Sequence, residues 1–395
     1  MRIFISSHDL IPEKSHLMPW RTLCEVTNHL RNEGHEVTLM SLSGSNQQVV
    51  DSRLPDGTRN IRKNTTYLYD DMNQLVKELQ PDVIFWPISW RESLVRTHAV
   101  AKLNIPLIGY FPGGYYSLKT CFYAVKQMGL KLTKPYLIEA MVPHFLQLFY
   151  LKLKGFKRII TMTELTAKHV TGFSWKESEV VYIPAGKELE DDLSNIEALP
   201  SDFIQWLNQR SYFLFMGPPS SIRGIYELLK SFELAAQVNS DICLVCLFRS
   251  DAKLDSDAIA DFIEKMKHRD RVYSIWDSVP KSVLNAFISQ CHAVAMPFIL
   301  VPSEIPLAII ETLQWGKPVI STKQGGTGDF VEQFGLSPEV GDIKGLTNAM
   351  VDLFQEEALY QKKCLDVHSV YLQHPNWQEM AQSWLNVAQA VVKKS

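Results

Sequence analysis

The sequence predicts two doubly wound α/β domains in tandem, each built on a parallel sheet. Three observations lead there. Short β-branched or aromatic runs alternate with helical patterns over residues 3–111, the alternation begins again at residue 212, and 395 residues exceed what a single hydrophobic core normally serves. The 46% hydrophobic and 21% charged fractions supply apolar material for two cores and carry no mark of disorder.

In the first series, strand-like runs at 3–7, 36–40, 82–86 and 106–111 are separated by helical patterns at 20–31, 72–79 and 94–103. That βαβ rhythm implies a parallel sheet. Gly34 stands where the first helix needs its C-cap. A helical, aromatic and basic stretch at 116–157 interrupts the rhythm and is assigned to the first domain, which resumes with strands at 158–162 and 180–183. After a polar stretch at 186–202, the second series places strands at 212–216, 242–248, 271–275, 293–296 and 318–321. Helices lie between them, after Arg223 and near 258–267, 283–289 and 307–315. The boundary is expected near 190. Ligands of open α/β sheets bind beyond the carboxyl ends of the strands, so the motifs are sought at strand ends facing the cleft between the domains.

A net charge of −3 gives no global attraction to nucleic acid, and no nucleic-acid partner is expected. Six scattered cysteines make no disulfide framework and fit a reducing compartment. Cys243 and Cys246 spell C-x-x-C but lie inside the apolar run 242–248, which reads as a buried strand rather than a metal or redox half-site. Residues 2–7 are too short for the apolar region of a signal peptide, and no run of about 20 apolar residues exists to span a membrane. The expected location is the cytoplasm.

Three segments carry chemistry. Gly217-Pro-Pro-Ser-Ser-Ile-Arg223-Gly224 follows a strand and precedes a helix. A glycine there lets backbone approach a ligand, the helix N-terminus offers free N–H groups, and Arg223 can fork onto a diphosphate; the alternative is an ordinary turn with a solvated arginine. In the second, Glu304 sits in a loop and Glu311 on the helix after it, where a carboxylate can hold a ribose through its two hydroxyls, or simply be solvated. The third, Gly325-Gly326-Thr-Gly328-Asp329, is another glycine-rich strand end. One sheet brings all three strand ends together.

These segments resemble the donor-binding half of GT-B glycosyltransferases of the retaining "group 1", or family 4, type. That family shows a Gly-Arg turn followed by Lys-Gly, then Glu, seven residues and Glu, then Gly-x-Pro-Val and Gly-Gly. Here stand Gly217…Arg223-Gly224, Glu311, Gly316-Lys-Pro318-Val319 and Gly325-Gly326. Gly34-His35-Glu36-Val37, Gln80-Pro81-Asp82-Val83 and Tyr182-Ile-Pro-Ala-Gly186 extend a looser likeness over almost the whole chain. Four departures stand out. Pro218 replaces the family's first arginine, strict counting puts Ser303 rather than Glu304 at the first acidic position, Pro112 falls where the acceptor-domain histidine belongs, and His8-Asp9 replaces a Gly-Gly after the first strand.

The resemblance implies a GT-B fold of two Rossmann-like domains facing across a cleft. The acceptor-binding domain would cover 1–190 and the donor-binding domain 191–374, with a C-terminal helix in 375–395 crossing back onto the first. It implies a glycosyltransferase of polysaccharide biosynthesis that uses a nucleotide-diphosphate sugar as co-substrate and needs no metal or other cofactor. Arg223 would hold the diphosphate beside Gly217 and Gly224, Glu311 the ribose, and the loop at Glu304 the transferred sugar, with Gly325 and Gly326 next to it. Retaining members use the departing diphosphate to take the acceptor proton; His8 or Asp9 as a general base is the inverting alternative. Another GT-B reaction, such as a sugar-nucleotide epimerase or a phosphorylase, and a catalytically degenerate binding subunit also stay open. The acceptor would be a glycan, a lipid-linked or another hydroxyl.

Between Lys119 and Arg158 eight basic residues face a single acid, Glu139, among interleaved Phe, Tyr, Leu and Met. Such helices bind anionic lipid at the inner face of a membrane, or pack on a core with their lysines in water. Asp255-Ser-Asp257 has the spelling of a metal motif and is read as helix capping.

Overall fold

A computed structural model describes residues 1–8, 10–43, 50–64, 68–89, 100–173, 175–189, 199–249, 255–301 and 303–393. The first half runs β1 (Arg2–His8), α1 (Trp20–Asn32), β2 (Glu36–Ser43), β3 (Val50–Arg53), β4 (Arg59–Asn64), α2 (Leu68–Leu79), β5 (Val83–Pro87) and β6 (Leu107–Tyr110). It continues through α3 (Leu118–Met128), α4 (Leu130–Met141), α5 (His144–Leu153), β7 (Phe156–Thr161), α6 (Glu164–Thr171) and β8 (Val180–Tyr182). Among the described residues its strands form one eight-stranded sheet, ordered β3-β4-β2-β1-β5-β6-β7-β8. All neighbours are parallel except β3 and β4.

That antiparallel hairpin is absent from the sequence reading. β3 lies at the sheet edge, and β4, between β3 and β2, buries Asn60 and Ile61 but flanks them with Arg59, Arg62 and Lys63, so neither strand carries an apolar run. The turn was spelled out at Pro55-Asp56-Gly57, where Asp56 Oδ1 accepts from the Thr58 amide at 2.9 Å. The expected helix at 94–103 falls mostly outside the described residues.

The second half runs α7 (Ser201–Leu207), β9 (Ser211–Gly217), α8 (Ile225–Val238), β10 (Ile242–Phe248), α9 (Ser256–Glu264), β11 (Val272–Ile275), α10 (Lys281–Gln290), β12 (Ala293–Ala295), α11 (Leu307–Leu313), β13 (Val319–Ile320), α12 (Gly325–Glu332) and α13 (Ile343–Gln355). Its sheet, β11-β10-β9-β12-β13, has five strands among the described residues and is parallel throughout. β10 is buried at every position, as a strand covered by helices on both faces must be. Cys243 and Cys246 join different core clusters on its two faces, so side-chain alternation points them apart.

α14 (Glu357–Gln373) and α15 (Trp377–Val392) close the chain. α15 starts on a capping box, Asn376 accepting from the Glu379 amide and Glu379 from the Asn376 amide, both at 2.9 Å. It lies along α1 and over β5 and β7. Trp384, fully buried, sets its ring 5.1 Å from Phe85 and 5.3 Å from Tyr110. The return passage is sewn to the outgoing one. The Lys187 amide donates to the Pro375 carbonyl at 2.9 Å, and His374 Nε2 lies 2.7 Å from the Ala185 carbonyl. A Cβ on Gly186 would stand 2.5 Å from the Trp377 Cα, so no side chain fits there.

Replacing Trp384 by Ala is expected to cost about 3–5 kcal/mol, the usual loss for a large buried aromatic. Denaturant unfolding of the variant measures it, and a loss below about 1 kcal/mol would show that α15 contributes little to the core.

Candidate active site

β9 delivers the chain to Gly217, and a 3-10 turn at Ser221–Arg223 carries Arg223 back over it. The guanidinium Nη1 lies 3.2 Å from the place a Cβ on Gly217 would occupy, and the same group sits 5.6 Å from the centre of the Phe298 ring. Gly224 then opens α8 in the left-handed region, φ +73°, with a hypothetical Cβ 1.8 Å from the Pro297 carbonyl oxygen. Only glycine satisfies both constraints. Asp255 completes the turn in a way the capping interpretation missed: its Oδ2 accepts from the Ser221 amide at 2.9 Å and from the Ser221 hydroxyl at 2.8 Å, with no side-chain bond to its own helix.

These residues border a cavity of about 460 Å³ between the two halves. Gly217, Pro218, Arg223, Phe298, Ser303 and Glu311 line one side, Arg249, Asp277 and Ser278 another, and His16, Met18 and Trp20 of the first half close it. Burial raises the Glu311 carboxyl above the ordinary range, while Arg21, Lys281 and Arg249 oppose the rise.

Glu304 is placed elsewhere. Ser303 faces the cavity, and the Glu304 side chain turns toward the first half, where Oε2 accepts from the Met162 amide at 2.5 Å and Oε1 from the Thr163 hydroxyl at 3.4 Å. Its carbonyl accepts from Thr327 Oγ1 at 2.6 Å. Removed from water, its carboxyl is pushed up to about 8 despite these donors. Gly325 and Gly326 open α12 rather than precede it, and neither lines the cavity. A Cβ on Gly326 would collide with Thr163 at 2.4 Å, and one on Gly325 would lie 2.9 Å from the Tyr115 carbonyl oxygen. Their small size serves the close approach of the two halves.

On the opposite side, a second cavity of about 310 Å³ is lined by Ser7, His8, Trp20, Ile88, Tyr110, Phe111, Pro112, Tyr136 and Glu139, among others. Trp20 borders both cavities, and its Nε1 donates to the His8 carbonyl at 2.6 Å. Burial raises the Tyr136 hydroxyl, and the Arg223 guanidinium opposes that shift. Asp9 lies outside the described residues.

The insertion reaches across the cleft. Tyr116 Oη donates to the Val301 carbonyl at 2.7 Å and Tyr123 Oη to Glu227 at 2.9 Å, while Cys121 and Ala124 pack with Ile299 and Leu300. Its outward face exposes Phe122, Leu130, Leu132, Met141, Phe145 and Phe149.

Residues 20–191 match the model of the family described as Glycosyltransferase Family 4, and residues 210–356 that of Glycosyl transferases group 1. The chain is a family 4 glycosyltransferase. No curated protein matches the enzyme in sequence. Among solved structures, the enzyme is similar to a sucrose-phosphate synthase from Thermosynechococcus elongatus, with 16% identity, 100% of both chains covered and a TM-score of 0.70. It is also similar to a glycosyltransferase from Rickettsia africae, with 14% identity over 100% and 99% of the two chains and a TM-score of 0.69. A third is HepE of Anabaena in complex with UDP and glucose, with 14% identity over 99% and 100% and a TM-score of 0.63. The fold of the enzyme is GT-B.

Glu304 gives a pH prediction. Its carboxyl keeps a proton to about 8 in the folded enzyme but loses it near the ordinary value of 4.5 when unfolded. Between those values the unfolded chain binds fewer protons, so this group makes stability fall as pH rises through the window. Glu304→Gln should keep the fold and flatten the melting temperature between pH 5 and 8; an unchanged pH slope would show that the carboxyl is ionised where it lies.

Proposed function

We propose that the enzyme transfers a sugar from a nucleotide-diphosphate sugar, bound in the 460 Å³ cleft, to a hydroxyl of an acceptor seated in the adjoining 310 Å³ cavity. The reading is carried by the juxtaposition of the two cavities on either side of Trp20, with Arg223 and Glu311 in one and His8 in the other. HepE, similar in fold, was solved with UDP and glucose. Arg223 neutralises the diphosphate as charge builds on it, Glu311 accepts from the ribose hydroxyls, and Ser303 with Ser278 offers further polar contacts on the same wall. The diphosphate oxygen freed as the sugar leaves takes the acceptor proton, on the face it departs from, which retains the anomeric configuration without a metal. A second reading has support in the placement of His8 on the acceptor cavity: its imidazole takes the proton and the configuration inverts.

The acceptor is an amphiphile met at an anionic membrane surface. The exposed apolar face of the insertion carries Lys126, Lys131 and Lys134, exposed beside the aromatic and aliphatic side chains, and each such lysine adds about 1 kcal/mol near anionic lipid. Tyr136 and Glu139 of the same helix form part of the acceptor cavity, which links the surface to the site. Among the described residues no helix is long and apolar enough to cross a membrane.

Incubation with a panel of nucleotide sugars and alkyl glycosides, with the product anomer read by NMR, tests the reaction. Transfer with retention that survives His8→Asn and is lost in Glu311→Gln is the expected result; inversion abolished by His8→Asn supports the second reading, and no turnover of any donor removes both. Sedimentation should occur with vesicles containing phosphatidylglycerol, weaken as salt rises and fall in Phe122→Ser/Phe149→Ser. Equal binding to neutral vesicles would count against the electrostatic part.

A further inference from the structure

We propose that Arg249 is a second cation for the donor diphosphate, acting opposite Arg223 across the end of β9; this rests on the donor reading above. A nucleoside diphosphate brings more than one negative charge into a cleft that shields it from water, and burying charge without a partner is costly. Pro218, the residue after Gly217 on that wall, offers neither a charge nor an N–H. Arg249 stands close by. It follows β10 directly, Phe248 is in register with Gly217, and the Arg249 amide donates to the Gly217 carbonyl at 3.2 Å. Arg223 approaches the same glycine with its guanidinium, Nη1 lying 3.2 Å from the place of a Cβ there. Both arginines line the same cavity, at the carboxyl ends of neighbouring strands, where ligands of parallel sheets bind.

The competing role for Arg249 is to hold Glu311 ionised, since it is one of the cations that oppose the rise of that carboxyl. The two roles differ in which part of the nucleotide they affect. If Arg249 faces the diphosphate, its loss spares the nucleoside; if it serves only Glu311, the ribose contact weakens and nucleoside and diphosphate lose affinity together.

The test is calorimetric titration of the full-length enzyme with UDP, GDP and ADP, followed by the matching nucleoside. Arg249→Gln should weaken the preferred diphosphate about 10- to 100-fold, the usual effect of losing a charge-assisted contact, with nucleoside affinity within about twofold and the melting temperature kept. Arg249→Lys should retain part of the affinity. Pro218→Arg in the Arg249→Gln background should recover part of it as well, because it returns a guanidinium to the same wall. Parent-like diphosphate binding by Arg249→Gln, or equal losses for diphosphate and nucleoside, overturns the inference. A parent that binds none of the three diphosphates removes the donor reading itself, and this inference with it.

Discussion

The enzyme depends on the place where its chain passes twice between the two sheets. The outgoing passage at 185–187 and the returning one at 374–377 are bonded backbone to backbone, and Gly186 admits the Trp377 backbone where any Cβ would collide. Two crossings pinned together tie the first half, the second half and the C-terminal helix at one place. A charge network lies against it. Glu188 pairs with Arg21 of α1 and with Lys281 of α10, and although its burial works to raise the carboxyl, these cations outweigh that and hold it below the ordinary range. Both halves and the connection between them share that carboxylate.

Charge in the cleft is handled differently on its two sides. The Arg223 guanidinium lies over Gly217 and the backbone amide of Arg249 bonds its carbonyl, with Asp255 holding the turn that presents Arg223. Glu304, one residue beyond the cavity wall, is taken out of water between the halves and keeps its proton to about 8. A neutral carboxyl can rest in that contact where an ionised one would be expelled. The cleft thus presents arginines on its wall, while the contact behind it holds a neutral carboxyl.

The insertion at 118–153 explains how one segment satisfies two opposed demands. α3 and α4 pack on the second half through Cys121, Ala124 and Tyr136, with Tyr116 just before α3 in the same cluster, which is why the segment has apolar residues at helical spacing. Phe122, Leu130 and Met141 of the same helices are left exposed. The same helices thus carry both packed and exposed apolar residues.

By itself the sequence determined most of the elements whose apolar period matches a buried surface: the parallel strands of both sheets other than β4, most of the helices between them, and α15. Periodicity records burial, and these elements are buried on a face or throughout. It also marked Gly217, Arg223, Gly224 and Glu311, because a strand end followed by glycine and a helix start is a local pattern. The polar hairpin β3–β4 escaped because its strands carry no apolar run, even where β4 is buried at Asn60 and Ile61. The contacts of Arg249 with Gly217 and of Asp255 with Ser221 escaped for another reason: each joins residues 32 to 34 positions apart that only the folded sheet brings together. The same reason separates Ser303 from its neighbour Glu304. Adjacent side chains in a loop point to different sides, and only the docking of the second half onto Met162 and Thr163 decided which of the two faces the cleft.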